Sequence, residues 1–154
     1  MTKNDIIEQL NKRLSEEWLA AYQYWVGSYV VIGQLRPNVQ DTLEEHGKEE
    51  LEHASQLATR IIELGGTPVL DPKEWFSKAN SKFMTPKLPF NSIDIVNQNK
   101  LGEQQAIDNY TAMAKALKDD ADQVTYLMIV EILGDEQRHK TDLVMFEQDF
   151  NLIK

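Results

Sequence analysis

The sequence predicts an all-α fold: a four-helix bundle in which one long crossover joins the second helix to the third. Apolar residues recur at i, i+3, i+4 and i+7 along four long segments, which is the spacing of amphipathic helices. Each segment has roughly 26 to 30 residues, or about 40 Å at 1.5 Å per residue. Short links join the first two and the last two segments, whereas residues 66–90 separate the second from the third. This arrangement makes the second and third helices parallel.

The first half of the chain is predicted to form an antiparallel helix pair. Its helices cover about residues 5–32 and 39–64, each with an apolar stripe on one face. Gly33 closes the first helix, and Gly65 and Gly66 close the second, because glycine tolerates the backbone conformation that follows a helix end. Since the link between the helices is short, we expect them to pack side by side in opposite directions.

The second half is predicted to form a second antiparallel pair. Its first helix begins near Asn91, an N-cap with Asp94 at the N3 position, and runs to about residue 118. The last helix begins after Asp119 and Asp120 and runs to about residue 150. The two pairs together predict a single domain over residues 1–154.

The crossover must pass along the length of the bundle and is predicted to contain a short helix. The stretch "DPKEWFSKA" carries the signals for it. Asp71 would cap the helix, Pro72 would take its first position and Glu74 would complete a capping box.

The composition is that of an ordinary globular chain with an acidic surface. Of the 154 residues, 42% are hydrophobic and 27% are charged. A chain of this length can form one domain with a full hydrophobic core. The formal net charge of −9 argues against DNA binding, because a surface that neutralises phosphates is basic. The lack of cysteine excludes disulfides and thiolate metal sites. No segment has the pattern of a secretory signal or a membrane span, so we expect a cytoplasmic protein.

Two of the three histidines follow a glutamate by three residues, and these two Glu-x-x-His motifs lie 86 residues apart. The same offset relates a second pair of glutamates and a pair of tyrosines. The related residues are Glu17 and Glu103, Glu50 and Glu136, His53 and His139, and Tyr24 and Tyr110. Surface ion pairs at i, i+3 would explain each motif alone but not the common offset.

The four glutamates and two histidines of this repeat can form one metal centre. Residues three apart share a helix face, so each Glu-x-x-His presents both side chains to one point. Four carboxylates buried together would repel one another, and two divalent cations would supply the missing counter-charge. Oxygen and imidazole ligands without sulfur favour iron or manganese, with zinc as an adventitious occupant. Carboxylates shared between two metals would let O2 or peroxide bind between them.

Three stretches resemble the ferritin-like superfamily, above all bacterioferritins and Dps-like proteins with a bacterioferritin-type di-iron site. "LNKRLSEEWLAAYQYW" is similar to the first helix of bacterioferritins, "EELEHASQLATRIIELGGTPVL" to the second helix and the following turn, and "EILGDEQRHKTDLVMFEQDFNLIK" to the fourth. The resemblance covers about residues 5–153 apart from the middle connection. It implies a ferroxidase site in which Tyr24 lies beside the metals and Glu50 and Glu136 bridge them. The implied ligands are Glu17, Glu50, His53, Glu103, Glu136 and His139.

Departures from bacterioferritins shape the expectations about haem and assembly. Leu51 occupies the position of the haem-ligating methionine, so no haem is expected. The chain ends at Lys154, where bacterioferritins continue into a short fifth helix of their 24-subunit cage, and its crossover is longer. Both features are similar to Dps-type proteins, so a 12-subunit shell is preferred and a 24-subunit shell is the alternative. The cysteine pair that often accompanies such sites in Dps-like relatives is absent.

The resemblance implies an iron-storage and detoxification ferroxidase. Such a protein binds two iron ions per subunit, oxidises Fe2+ with O2 or H2O2 and stores Fe3+ as an oxide inside its shell. A dinuclear iron or manganese enzyme of the peroxidase or catalase type, which stores nothing, is the alternative. A helical bundle that acts only through protein contacts is a second alternative and predicts no metal.

Residues near the motifs leave alternatives open. His46 lies on the same helix face as the first Glu-x-x-His motif, at a position where the matched family has a carboxylate. It is either an accessory metal ligand or a solvated or hydrogen-bonded histidine. Tyr24 is expected to support a ligand or to donate electrons, and Tyr110 to pack with its hydroxyl bonded. Three nearby acids are predicted to lie mainly on a solvated face, and the alternative is that some of them guide Fe2+ inward: Glu45, Glu49 and Glu52.

Overall fold

The computed structural model describes residues 1–154 and contains five α-helices and no β-strand. The helices are α1 (Lys3–Val30), α2 (Arg36–Glu63), α3 (Trp75–Lys78), α4 (Ser92–Leu117) and α5 (Gln123–Ile153). The all-α bundle with one long crossover is therefore confirmed, and the ends of the long helices lie within three residues of the predicted ones. None of the helices combines the length and the apolar composition that a membrane span requires.

Side-chain caps explain where three of the long helices begin. The Asn91 side chain accepts a hydrogen bond from the Asp94 backbone N–H (2.9 Å), as the sequence predicts. Asp122 caps α5 in the same way. Thr2 and Asp5 form a reciprocal capping box at the start of α1. Each cap satisfies a backbone N–H that has no partner within its own helix.

The short crossover helix lies where the sequence predicts it, as one 3₁₀ turn followed by α3. The Asp71 side chain accepts a hydrogen bond from the Lys73 backbone N–H (3.0 Å), and Pro72 takes the first position. The capping box expected from Glu74 is wrong. The Glu74 carboxylate instead lies 3.3 Å from the Lys78 ammonium, one turn further along.

The crossover follows α1 from one end of the bundle to the other. Near its start, the Asn11 side chain donates to the Thr67 carbonyl (3.1 Å) and accepts from the Val69 N–H (2.9 Å). At its end, the Ile32 N–H donates to the Phe90 carbonyl (3.0 Å). Because α4 therefore begins beside the end of α1, α2 and α4 run parallel.

Gly65 and Gly66 turn the chain out of α2 into the crossover. Gly65 has a φ of +79°, a left-handed conformation that glycine adopts without strain. A Cβ atom at Gly66 would lie 2.7 Å from a methyl carbon of Ile7. Only glycine lets the crossover start this close to α1.

Two hydrophobic clusters fill the bundle, and a layer of buried polar side chains separates them. The larger cluster contains Leu10, Leu57 and Ile132 and lies near the N-terminal end of α1. The smaller one contains Val39 and Leu143 and lies near the opposite end. Buried polar groups are costly unless they are paired or bind a metal, so the layer between the clusters is the candidate functional site.

Candidate metal centre

The structure brings together all six Glu and His residues that the repeat predicts. One glutamate comes from each long helix, and α2 and α5 each add the histidine of their Glu-x-x-His motif. All six side chains are at most 3% exposed. They form two overlapping groups, within each of which the ligand atoms lie within 4.8 Å of one another. The groups are Glu17, Glu50, His53 and Glu136, and Glu50, Glu103, Glu136 and His139.

Both imidazole rings present Nδ1 to the carboxylates. His53 Nδ1 lies 3.2 Å from Glu50 Oε2 and 3.1 Å from Glu136 Oε1. His139 Nδ1 lies 3.2 Å from Glu50 Oε1 and 3.6 Å from Glu103 Oε1. Nδ1 is therefore the ring atom that each histidine offers to a metal.

The other ring nitrogen of each histidine is held by a second carboxylate. His53 Nε2 lies 3.2 Å from Asp135 Oδ2, and His139 Nε2 lies 2.8 Å from Glu49 Oε2. Arg138 in turn pairs with Glu49. Nε2–H donation to a carboxylate fixes the tautomer that leaves Nδ1 free to bind a metal, and it makes the imidazole a stronger ligand.

Glu49 and Asp135 are functional candidates that the sequence interpretation missed, since Glu49 was expected on a solvated face. Both directly precede the glutamate of a Glu-x-x-His motif, and the 86-residue offset relates them as well. Extending the repeat by one position would have found them.

Two tyrosines fix the carboxylates that come from outside the Glu-x-x-His motifs. The Tyr24 hydroxyl donates to Glu103 Oε1, and the Tyr110 hydroxyl donates to Glu17 Oε1. Each tyrosine therefore holds a glutamate of the other half of the chain. Both hydroxyls are bonded, as expected, and they orient the two glutamates toward the centre.

His46 is buried beside the second group and is hydrogen-bonded. Its Nε2 lies 3.0 Å from Asp142 Oδ2, and its Nδ1 lies 3.4 Å from the Tyr24 hydroxyl. Its ring stacks on that of His139, with centroids 4.1 Å apart. This matches the hydrogen-bonded alternative, although one ring nitrogen of His46 also lies within 4.8 Å of candidate ligand atoms of Glu103 and His139.

The crowding of buried acids changes the protonation of the centre. Burial, and next the charge of Glu17, raise the pKa of Glu50 to about 8. Burial, and next the charge of Glu50, also raise the pKa of Glu136. Burial alone would lower the pKa of His139, but the neighbouring Glu103 and Glu50 carboxylates raise it to about 11. Without a metal the centre therefore retains protons at neutral pH, and cations would replace them.

The donor atoms of the centre fit a pair of metal ions. Five buried side-chain atoms of the six-residue centre have no hydrogen-bond partner: Glu17 Oε2, Glu50 Oε1, Glu103 Oε2, Glu136 Oε1 and His139 Nδ1. Unpaired buried acceptors are rare in native proteins, and bound cations would satisfy them. Because Glu50 and Glu136 belong to both groups, they are placed to bridge two metals. Carboxylate and imidazole donors without sulfur suit iron or manganese.

Comparison with known protein families agrees with this architecture. The ferritin-like domain profile matches residues 7–153, nearly the whole chain. The chain belongs to the ferritin-like family. Within this family it is 28% identical over 144 residues to a bacterioferritin of Desulfovibrio desulfuricans, an alignment that covers 90% of this chain and 72% of the relative.

Solved structures of ferritin-like proteins superimpose closely on the chain. The bacterioferritin-related protein of Bacteroides fragilis, described as a dodecameric thioferritin, is 44% identical with a TM-score of 0.95, covering 99% of this chain and 90% of its own. Dps from Thermosynechococcus elongatus has a TM-score of 0.87 over 94% of this chain and 90% of its own. At 19% identity the Dps likeness shows the shared fold.

Proposed function

We propose that the protein is a ferroxidase that oxidises Fe2+ at the six-residue centre and stores Fe3+ in a hollow shell of identical subunits. The observation that carries this proposal is the set of unpaired carboxylate oxygens in two overlapping groups, joined by Glu50 and Glu136. Two Fe2+ ions would supply four positive charges against four carboxylates. Membership of the ferritin-like family and the bacterioferritin relatives support iron as the metal.

The side chains of the centre have separate tasks in this reaction. Glu50 and Glu136 hold both Fe2+ ions close together, so that one oxidant molecule can accept an electron from each. Glu17 and Glu103, oriented by the tyrosines, complete the two positions. With H2O2, two electrons and two protons break the O–O bond and give two water molecules. With O2, two electrons and two protons give H2O2.

Assembly into a shell gives the oxidised iron a place to collect. The related Bacteroides fragilis protein is dodecameric, which supports twelve subunits here, with 24 as the alternative. The outer face of α1 carries a row of three exposed aromatic side chains, Tyr22, Trp25 and Tyr29, whose neighbouring ring centroids lie 5.7 Å and 4.9 Å apart. Exposed apolar rows of this kind favour burial against another subunit. With H2O2 as the oxidant, the protein would also protect against oxidative stress. We predict that it is cytoplasmic.

Aerobic iron loading tests the proposal directly. The purified apoprotein is given several dozen equivalents of Fe2+ per subunit, and its mass in solution and its retained iron are measured. We expect a soluble shell that keeps many iron ions per subunit. Retention of only two ions per subunit would favour a dinuclear iron or manganese redox enzyme that stores nothing. Retention of none would contradict both metal-based functions.

A further inference from the structure

A small cavity reaches the metal centre from the side formed by α1 and α4. It has a volume of about 40 Å³, and the carboxylates of the centre form its floor. Leu19, Ala106 and Gly102 line its walls, and residues 81–83 of the crossover lie over its mouth. A single buried water needs roughly 10–15 Å³, so the cavity has room for a two-atom molecule but not for a bulky one.

The crossover is fixed over this mouth by side chains of α1 and α4. The Asn80 backbone N–H donates to Glu16 (2.7 Å), and the Met84 N–H donates to Gln23 (2.8 Å). The Lys82 N–H donates to Gln105 of α4 (3.0 Å). Because these bonds hold the backbone itself, the opening has a defined width.

Above the carboxylates of the centre, the walls of the cavity carry no unpaired negative charge. Gln23 and Asn99 form a buried amide pair across it (3.4 Å). Glu16 is paired with the buried Arg13 guanidinium at 2.7 Å. The one further charged side chain that lines the cavity is the cation Lys82 at its mouth. Such a path favours a small neutral molecule over a divalent cation.

The depression between α2 and α5 has the opposite character. Only polar and charged side chains line it, among them Glu45, Glu52 and Asp135. The centre is thus flanked by a neutral, narrow opening between α1 and α4 and by a charged, wide one between α2 and α5.

We propose that the cavity between α1 and α4 is the passage through which a small neutral oxidant, O2 or H2O2, reaches the metal centre. This inference rests on the proposed ferroxidase function. Gly102 and Gln23 line this cavity, and the Met84 side chain lies beside Gly102.

Gly102 provides a variant that narrows the passage without disturbing the fold. A Cβ atom there would lie 3.5 Å from Gln23 Nε2 and 3.8 Å from Met84 Cε, which are ordinary contacts. Alanine in place of glycine also favours the helical conformation of α4. Gly134 of α5 is the matched control, because a Cβ atom there meets nothing within 4 Å.

The test compares Gly102→Val and Gly102→Ala with Gly134→Val and Gly134→Ala. Anaerobic protein loaded with Fe2+ is mixed with nitric oxide, a neutral two-atom probe, and its binding rate is followed by absorbance. We expect Gly102→Val to slow the binding of nitric oxide about tenfold. This corresponds to an increase of about 1.4 kcal/mol in the activation free energy for entering the cavity. Gly102→Ala should have a smaller effect and the Gly134 variants none. Anaerobic Co2+ binding should be equal in all five proteins.

Separate oxidation assays with O2 and H2O2 distinguish the two oxidants. If Gly102→Val slows both, they share the passage, and if it slows one, the passage serves that oxidant. Equal rates in the Gly102 and Gly134 variants for nitric oxide and both oxidants would overturn the proposal. If Gly102→Val disturbs Co2+ binding, the test rests on Gly102→Ala instead. Rates for Gly102→Ala equal to those of Gly134→Ala would then overturn the proposal. A wild-type protein that binds Co2+ but does not oxidise Fe2+ would instead contradict the ferroxidase function.

Discussion

His53 and His139 occupy corresponding positions in the two halves of the chain, yet their neighbours differ. His139 stacks on His46, and His46 is hydrogen-bonded to Asp142. In the other half, the 86-residue offset places Ile132 where His46 stands, and Ile132 belongs to the larger hydrophobic cluster. The half of the centre around His53 therefore lies against an apolar side chain, and the half around His139 lies against a polar one.

The repeat preserves the candidate metal ligands and varies the residues that surround them. A chain of polar contacts runs from Asp142, whose side chain is 45% exposed, through His46 and Tyr24 to the candidate ligand Glu103. The half around His53 has no corresponding chain of polar contacts, since Gln56 occupies the position that corresponds to Asp142. We therefore expect two metal positions that share bridging ligands but differ in how firmly they hold a cation.

The largest effect is expected from a ligand that serves both halves. Glu50→Gln removes a bridging charge while keeping the shape of the side chain. Fe2+ oxidation should slow by at least about 100-fold, which corresponds to about 2.7 kcal/mol of barrier. Both Co2+ positions should weaken together in an anaerobic titration.

Glu52→Gln is the control for this change, because Glu52 lies on the same helix with an exposed side chain. It should leave oxidation and Co2+ binding unchanged. A Glu50→Gln protein that still bound two Co2+ ions with normal affinity would show that Glu50 does not bridge the metals.

Removing the outer carboxylates should separate the two halves. Asp135→Asn weakens the support of His53, and Glu49→Gln weakens that of His139. Each change should reduce the affinity of one metal position by about 10- to 100-fold and leave the other nearly unchanged. Two-site Co2+ titrations followed by absorbance measure this, with Glu45→Gln as an exposed control on α2. Loss of both positions in either variant would contradict the assignment of one carboxylate to each half.

Much of the centre is predictable from sequence because its ligands repeat at helical spacing. The Glu-x-x-His motifs and the common offset depend only on local helix geometry. The bonds of His53 to Asp135 and of His139 to Glu49 depend instead on how α2 and α5 pack, since each joins side chains of the two helices. Local spacing does not contain that information.

The surroundings of His46 show the same limit. Its position on the ligand face of α2 follows from helical spacing, but its partner Asp142 is 96 residues away in the chain. The cavity between α1 and α4 likewise depends on the path of the crossover, which no periodicity in residues 66–90 specifies. Sequence therefore predicts the bundle and the position of its candidate ligands, and tertiary packing decides which residues support and flank those ligands.

The pH dependence of the apoprotein should reveal the crowding that both halves share. The pKa of Glu50 is raised in the folded state, so between its ordinary range and about 8 the folded protein binds more protons than the unfolded one. Stability should therefore fall as pH rises from 5.5 to 8, and the raised pKa of His139 adds to this fall above neutral pH. We expect the Tm of the apoprotein to drop by about 5 °C or more, since roughly 2 kcal/mol corresponds to such a shift.

Thermal unfolding of the apoprotein at the two pH values measures this effect. Glu50→Gln should flatten the decrease, because its side chain does not titrate. Saturating Zn2+, which is not oxidised, should reverse the trend, since metal binding requires deprotonated ligands. An apoprotein that was more stable at pH 8 than at pH 5.5 would contradict the charge repulsion inferred for the centre.

The smallest effect is expected from making the two halves alike. His46→Ile places in α2 the side chain that Ile132 provides in α5, and it removes the stacking on His139 and the bond to Tyr24. Asp142 is partly exposed, so water replaces its lost partner and stability should change by only about 1 kcal/mol. The two Co2+ affinities should become more nearly equal, while Fe2+ oxidation slows by a few fold. Unequal affinities that persist unchanged in His46→Ile would show that the difference between the halves arises from Glu49 and Asp135 rather than from His46.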